Sequence, residues 1–494
     1  MQFQVHENDD ACQPAAQYRN PPVVVQEHHG APLLNCSGLV LMRQLMERLG
    51  VARAIDAGVR VLRRCKWYRE SDHILTLIYS MLSGGSRLHD VNRLGQDEAL
   101  KRVLGSDRIP HATTIGKFLW RFGDDEHDKQ RLGLAELRET SEAVQQDAFA
   151  LLPRERRKVA TLDWDSSIHE VYGQKKEGAD FAYDNTWSYS ALYGTLAETG
   201  DVLYLGLREG HRYTSYGTKE VLPGTIDRVS KHFRQVRMRA DSGYYNQALV
   251  NICEQRGVEF FIVAKQHRNL MNALREIPDR EWRSFAHSDL QAGDRGRRRR
   301  RRRANLKRKI AIRRKPDSRF KGAPEIAGMM FKPTSWKKAR RYVIKRTPIV
   351  DKDDQQLYLD DGLRRYAYWI VVSNSKRSNE QVLRIAQGRG NQENLIKDFK
   401  YGLGLAHIPT GTLAANQAYF MIAALAWNLK TWLLNLLDVG DGAVMRFQRF
   451  RYQWIWQAGV VAKSARNTVV LKLPAGDYFQ RFGVAMSRLA ILPR

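Results

Sequence analysis

Cysteine is scarce in this sequence. The four residues, Cys12, Cys36, Cys65 and Cys253, form no C-x-x-C pair, and no histidine pattern completes a zinc site with them. A disulfide framework and a structural zinc module are therefore not expected, and reduced thiols in a cytosol are. Residues 1–20 are polar and mixed in charge, unlike a secretory leader. No run of about 18 uncharged apolar residues occurs. The nearest stretch, Ala414–Leu437, is interrupted by Asn416, Gln417, Asn428, Lys430 and Asn435, and it reads as a buried helix of a non-membrane protein. No internal repeat stands out, which excludes a solenoid. Acids are also in short supply: 53 Asp and Glu face 81 Lys and Arg, a formal net charge of +28. That excess is spread along the chain and predicts attraction to a polyanion, most simply nucleic acid. With 494 residues, 11 Trp, 20 Tyr and 17 Phe, there is enough material for several domains and a large core.

The first 35 residues are polar and read as a loose segment. Residues 36–153 read as a helical domain. Leu41, Leu45 and Leu49 recur every fourth position before Gly50, and Ile74, Leu75, Leu77, Ile78, Met81 and Leu82 are the apolar positions of a second helix ended by Gly84-Gly85. A helix is expected over Asp90–Leu104. Another, capped by Thr113 or Thr114, carries Ile115, Phe118, Leu119 and Phe122 on one face, with Lys117 and Arg121 off it. Such short helices with basic exposed positions fit either a helix-turn-helix DNA reader, with Lys117 and Arg121 as contacts, or a plain helical bundle. Residues 130–150 read as a connecting helix.

At Val159 the texture changes from helix to strand. Val159–Ser167 is a β-type run closing on Asp163 and Asp165, which share a face because strand side chains alternate. Strands are expected at Trp187–Tyr193 and Val202–Leu207. A helix over Leu222–His232 has Pro223 in its first turn. Then come the strand Val236–Ala240 running into Asp241, a helix at Asn246–Gln255 and a strand at Glu259–Ala264. This β-β-β-α-β-α-β order over 154–265 is interrupted by a basic stretch, 266–365, read as an inserted β-rich lobe. It contains Arg299, Arg300 and Arg301 within an arginine run suited to gripping phosphates, with strand-like pieces at Tyr342–Ile349 and, just beyond it, Tyr366–Ser373. Residues 366–437 resume the core, and 438–494 form a C-terminal region offering a dimer or DNA contact. There Phe447–Trp456 interleaves arginines with aromatics, a pattern for stacking or for a packed helix face.

Read as a helix, Gly388–Lys400 brings Arg389, Glu393 and Lys400 within roughly 40° of one another, with Lys397 a further cation. The plain reading is a solvated i, i+4 pair between Arg389 and Glu393, worth a few tenths of a kcal/mol. The chemical reading is a metal-binding glutamate whose cationic neighbours hold a phosphodiester. Asp165, Asp241 and Glu393 on three separate elements are a candidate carboxylate set for divalent cations, which prefer oxygen ligands. Two such ions would serve both the attacking and the leaving oxygen of a phosphoryl displacement.

Three motifs resemble those of bacterial insertion-sequence transposases of the DDE class, Y-R-E-K group. Leu162-Asp163-Trp164-Asp165-Ser166-Ser167 is similar to the D-x-D-S-T pattern, and Arg239-Ala240-Asp241-Ser242-Gly243-Tyr244 to R-x-D-S-G-aromatic. Arg389, Glu393 and Lys400 match R-x3-E-x6-K. The resemblance covers roughly residues 155–435. It implies an α/β, RNase H-like mixed sheet flanked by helices, with an inserted β-rich lobe and helical N- and C-terminal regions. It also implies catalytic, metal-holding Asp165, Asp241 and Glu393, with Asp163 competing for the first place. Two Mg²⁺ or Mn²⁺ ions, DNA contacts from Arg389, Lys400, Lys397 and Arg239, and a homodimer pairing the terminal inverted repeats are further implications. The implied reaction is cut-and-paste transposition: endonuclease cleavage frees a 3′-hydroxyl, which then attacks a phosphodiester. In this group the hydroxyl attacks the opposite strand first in some members, closing a hairpin. An aromatic of the lobe then holds a flipped base, and Trp282 and Trp336 are available for that or for core packing. The expected location is the cytoplasm, on the nucleoid. The chain departs from the pattern at Ala386, where the signature has Tyr, and at Ser167, where Thr is usual. The competing reading is a catalytically decayed or repurposed sequence-specific DNA-binding protein, for which Ala386 is the sequence support.

Overall fold

The protein is seen in a computed structural model that describes residues 33–62, 64, 67–123, 127–285, 323–348, 366–438, 445–463 and 469–493. The described chain opens with a short strand, β1 (Leu33–Leu34), and seven helices. These are α1 (Leu39–Arg48), α2 (Val51–Gly58), α3 (Glu70–Ser83), α4 (Val91–Gln96), α5 (Glu98–Leu104), α6 (Ala112–Trp120) and α7 (His127–Leu151). Gly50, at φ +61°, separates α1 from α2, and Gly84, at φ +114°, ends α3, both in the left-handed region that glycine enters without a Cβ penalty. The single helix expected over Asp90–Leu104 is two. Asp97 breaks it, because its carboxylate accepts the Leu100 N–H and so starts α5 afresh. The cap of α6 is not Thr113 or Thr114 but His111, whose ring nitrogen accepts the Thr113 N–H at 3.3 Å.

A mixed sheet follows. Its strands are β2 (Val159–Glu170), β3 (Asp180–Phe181), β4 (Trp187–Leu196), β5 (Val202–Glu209), β6 (Gln235–Ala240), β7 (Glu259–Val263), β8 (Arg283–Ser284), β9 (Glu325–Phe331), β10 (Arg340–Pro348) and β11 (Tyr366–Ser373). Across the sheet the order is β5-β4-β2-β6-β7-β11-β10-β9-β8, with β3 continuing the β5 side of β4. The neighbours β2, β6 and β7 run parallel, and the remaining pairings are antiparallel. Parallel neighbours need crossovers. Helix α8 (Thr218–Ser230) lies between β5 and β6, and α9 (Gln247–Gln255) between β6 and β7. Helix α8 starts four residues before the expected Leu222, which puts Pro223 in its second turn. The strand expected to close on its acids instead runs on to Glu170, so Asp165 lies mid-strand. In the stretch expected as an inserted lobe, β9 and β10 extend this same sheet through β11. Helix α10 (Arg268–Arg275) also falls there.

After β11 come α11 (Asn379–Gln387), α12 (Gly390–Gly402) and the long α13 (Leu413–Leu436). The polar residues that interrupt the apolar run of α13 now have a purpose. The outer edge of β5 would leave backbone groups unpaired in the core. Asn428 accepts the Val202 N–H and donates to the Val202 carbonyl, both at 2.8 Å, while Gln417 donates to Leu205 O at 3.1 Å. Helix α13 is thus sealed onto the sheet on one side and packs α3 and α7 on another. The N-terminal helices, α13 and the C-terminal α15 (Asp477–Ala490) contribute to one apolar core. A second core lies among α8, α9, α10 and the middle strands. Between α13 and α15 stand the short α14 (Phe447–Phe450), a π-helical turn at Arg451–Ile455 and the hairpin β12 (Gly459–Lys463) and β13 (Val469–Lys472), which pairs with β1. Phe447, Phe450 and Trp454 are buried and Arg451 donates to the Leu82 carbonyl, so the aromatic side of this segment packs inward. No described helix is long and apolar enough to cross a membrane.

Candidate active site

The register of β2 and β6 builds the centre. Trp164 stands beside Ala240 across this parallel pair, so Asp165 and Asp241 are the next residues on two neighbouring strand paths. Each carboxylate is held by its own local backbone. The Ser166 N–H donates to Asp165 Oδ1 at 2.9 Å, and the Gly243 N–H donates to Asp241 Oδ1 at 2.8 Å. Burial raises the pKa of Asp165; Arg389 pulls it down and the like charge of Asp241 pushes it up.

Helix α12 supplies the third side. Arg389, its N-cap, donates from Nη1 to Asp165 Oδ2 at 2.8 Å, and its Nη2 lies 3.5 Å from Glu393 Oε1. One guanidinium therefore joins the strand acid to the helix acid. Glu393 is about two-thirds exposed, its side chain being 66% accessible against 14% for Asp165. Among the described residues no three His, Cys, Asp or Glu side chains stand close enough to share an ion.

Beneath this surface lies a buried ion pair. Arg239 Nε and Nη2 donate to the two oxygens of Asp163, each at 2.6 Å, and Arg239 Nη1 donates to Ile385 O at the end of α11. Gln392 of α12 donates to the Asp163 carbonyl at 2.7 Å. Burial pushes the Asp163 carboxyl up, against the pull of the Arg239 guanidinium bonded to both its oxygens. Arg239, expected as a DNA contact, is buried and paired with Asp163. Both oxygens of Asp163, the other candidate for the first acid, accept from that guanidinium, whereas Asp165 is the less buried of the two.

Lys400 is half-buried and donates to the Ile168 carbonyl of β2 at 2.8 Å, pinning the far end of α12 to the strand that carries Asp165. Lys397 and Lys117 are exposed, and Arg121 is partly so. Arg299, Arg300 and Arg301 lie outside the described residues. Ala386 is buried among Val382, Leu383 and the strands beneath α11. Trp282 and Trp336 are buried too, under Arg346 and Arg340 respectively, so they pack rather than wait for a base. Sequence reasoning missed Tyr244. It is buried, its hydroxyl has no hydrogen-bond partner among the described residues, and Asp165, Arg208, Asp241 and Arg389 all act on it electrostatically. Its place at the end of the second motif was the available signal.

Fold and site together define an α/β protein with an acid-and-arginine centre on the middle strands of a mixed, helix-flanked sheet. The chain belongs to the DDE-class transposases: the family described as Transposase DDE domain group 1 matches residues 16–493, nearly its whole length. A solved structure, the cryo-EM piggyBac transposase synaptic complex with hairpin DNA, is similar at 10% identity over 84% of this chain and 78% of that chain, with a TM-score of 0.38. A search of curated proteins gives no match.

Proposed function

We propose that this transposase is the enzyme of an insertion sequence, binding the ends of its element as a homodimer and cleaving and joining DNA strands in cut-and-paste transposition. The observation that carries the reading is the side-by-side placement of Asp165 and Asp241, with Arg389 tying Asp165 to Glu393. The strand order β5-β4-β2-β6-β7, three antiparallel strands and then two parallel to the first, supports an RNase H-like core. In this reading the basic stretch at 266–365 is an insertion that widens the catalytic sheet through β9 and β10, and the helices of 36–153 form the DNA-binding region.

The donor set fits a hard divalent cation. Asp165 and Asp241 are adjacent, all-oxygen ligands, and each retains acceptor capacity beyond the bonds described. These two would hold Mg²⁺ or Mn²⁺; Glu393, linked to Asp165 through Arg389, does not stand close enough here to share that ion and would join it only if α12 moved closer. The ions would supply charge neutralisation for the phosphodiester and activation of the attacking oxygen. The chain's own residues do the rest. Arg389 presents a guanidinium at the phosphate position, and Lys397 extends the positive face along α12. The Asp163–Arg239 pair and Gln392 hold α12 against the strands.

The test is metal-dependent cleavage of DNA carrying the flanks of its own reading frame. Asp165→Asn, Asp241→Asn and Glu393→Gln should each abolish cleavage, as should chelation by EDTA, with DNA binding retained. Wild-type rates in all three variants would overturn the proposal. DNA binding with no product under any divalent cation would favour the decayed, binding-only alternative.

A further inference from the structure

The loop between β5 and α8, residues 210–217, lies beside the acids and has no part in the chemistry above. It is locked from below. Arg208 is 7% exposed, and its Nη1 donates to the carbonyls of Tyr213, Thr214 and Tyr216 at 3.4, 3.2 and 2.6 Å. Its Nη2 donates to Ser190 Oγ at 2.7 Å. The loop touches the turn that follows Asp241: a Cβ on Gly243 would come within 2.8 Å of the Thr214 methyl and 3.0 Å of Asp241 Oδ1. A buried arginine, three loop carbonyls and a close glycine contact thus fix this loop against the Asp241 turn.

Its side chains nonetheless point outward. Tyr213 is 65% exposed and Tyr216 36%. Their rings meet edge to face at 5.6 Å, and the Arg212 guanidinium lies 4.4 Å from the Tyr216 ring centroid while pairing with Glu209. Tyr216 is therefore covered on one side, and Tyr213 presents a large aromatic surface to solvent. The loop borders β3 through the Gly210 N–H to Gly178 O bond and the His211–Asp180 pair, and there Phe181 adds a ring that is 59% exposed. A solvated aromatic surface on a rigid loop beside catalytic acids, in a chain of net charge +28, has the make-up of a base-stacking platform. Because the loop is already ordered, stacking on it requires little further ordering.

We propose that the 210–217 loop binds single-stranded DNA beside the acids, with Tyr213 stacking on an unpaired base and the Arg212–Tyr216 pair buttressing it. The location of this platform at a reaction centre rests on the function proposed above; its affinity for unpaired bases does not. The experiment measures fluorescence anisotropy of labelled oligothymidylate, and of a labelled duplex of equal length, with full-length protein in EDTA, where no cleavage occurs. Tyr213→Ala should weaken binding of the single strand about tenfold, leave duplex affinity within about twofold, and unfold at the wild-type temperature because the ring is exposed. Tyr213→Trp should restore single-strand binding. Equal loss for both DNAs, or no loss for either, would overturn the platform. Because both probes are measured in EDTA, the stacking result does not depend on cleavage, so a failure of the cleavage test and a failure of the stacking test are read separately.

Discussion

Arg239 and Asp163 form a two-pronged ion pair under the site, 2.6 Å at each prong, and the same guanidinium reaches the Ile385 carbonyl in the last turn of α11. One side chain thus joins β2, β6 and the approach to the glutamate helix. Removing one partner strands a buried charge. Arg239→Met or Asp163→Leu alone should destabilise the protein by about 3–5 kcal/mol, and the double replacement by much less. Denaturant unfolding of the three variants measures this. Additive losses in the double variant would show that the pair does not act as a unit.

Gly388 sits under the same guanidinium. A Cβ there would lie 2.2 Å from Arg239 Nη1 and 3.2 Å from Ile385 O. Gly388→Ala should destabilise by about 1–3 kcal/mol and slow cleavage by tilting α12. Two residues on, Gly390 faces open space, so Gly390→Ala should be neutral or stabilising by about 0.5–1 kcal/mol. Thermal melts of the two variants should move in opposite directions or differ by several degrees.

Arg389 bridges Asp165 and Glu393. Arg389→Ala should slow single-turnover cleavage about 100-fold, the usual loss for one charge-stabilising donor, and lower stability as well, because the side chain is only 19% exposed and its loss leaves the part-buried Asp165 carboxylate unpaired. Arg389→Lys should recover little, since an ammonium lacks the planar fork that reaches both carboxylates. Cleavage within twofold of wild type in Arg389→Ala would remove Arg389 from the mechanism.

His169 is fully buried in β2. Its Nε2 meets the Tyr193 hydroxyl at 2.8 Å and its Nδ1 the Leu405 carbonyl at 3.3 Å. Burial, aided by Lys400, drives its pKa from 6.5 down to about 3. The unfolded chain therefore binds an extra proton between those values. The contribution to stability is complete above about pH 6.5 and is lost as pH falls towards 3, with a slope of up to about 1.4 kcal/mol per pH unit. His169→Gln should flatten stability against pH over that window, as followed by urea unfolding. Identical slopes would place the acid sensitivity elsewhere.

Much of the core was legible because its signals are local. The β-type composition of Val159–Ser167 and Trp187–Tyr193 and the helical spacing of Leu41, Leu45 and Leu49 mark their elements locally, although both strands prove buried on both faces. Breaks inside an apparent helix were less so. Asp97 acts as a cap only because the chain turns there, and the choice of His111 over Thr113 depends on which side chain reaches a free N–H. The polar residues of α13 were read only as interruptions, since their partners, the edge groups of β5, lie some 200 residues earlier in the chain.

The sequence by itself determined the positive charge, the alternation of strands and helices, and the three short motifs that carry the acids, all properties of residues near one another in the chain. Only the tertiary structure decided which acid faces outward. Asp163 and Asp165 share a strand face in any extended segment, yet β6 brings Arg239 against Asp163 while α12 brings Arg389 against Asp165. Arg239 takes both oxygens of Asp163, whereas Arg389 takes one of Asp165, which leaves that carboxylate freer to accept a ligand. That difference arises from strand register and helix docking, which no single stretch of residues encodes.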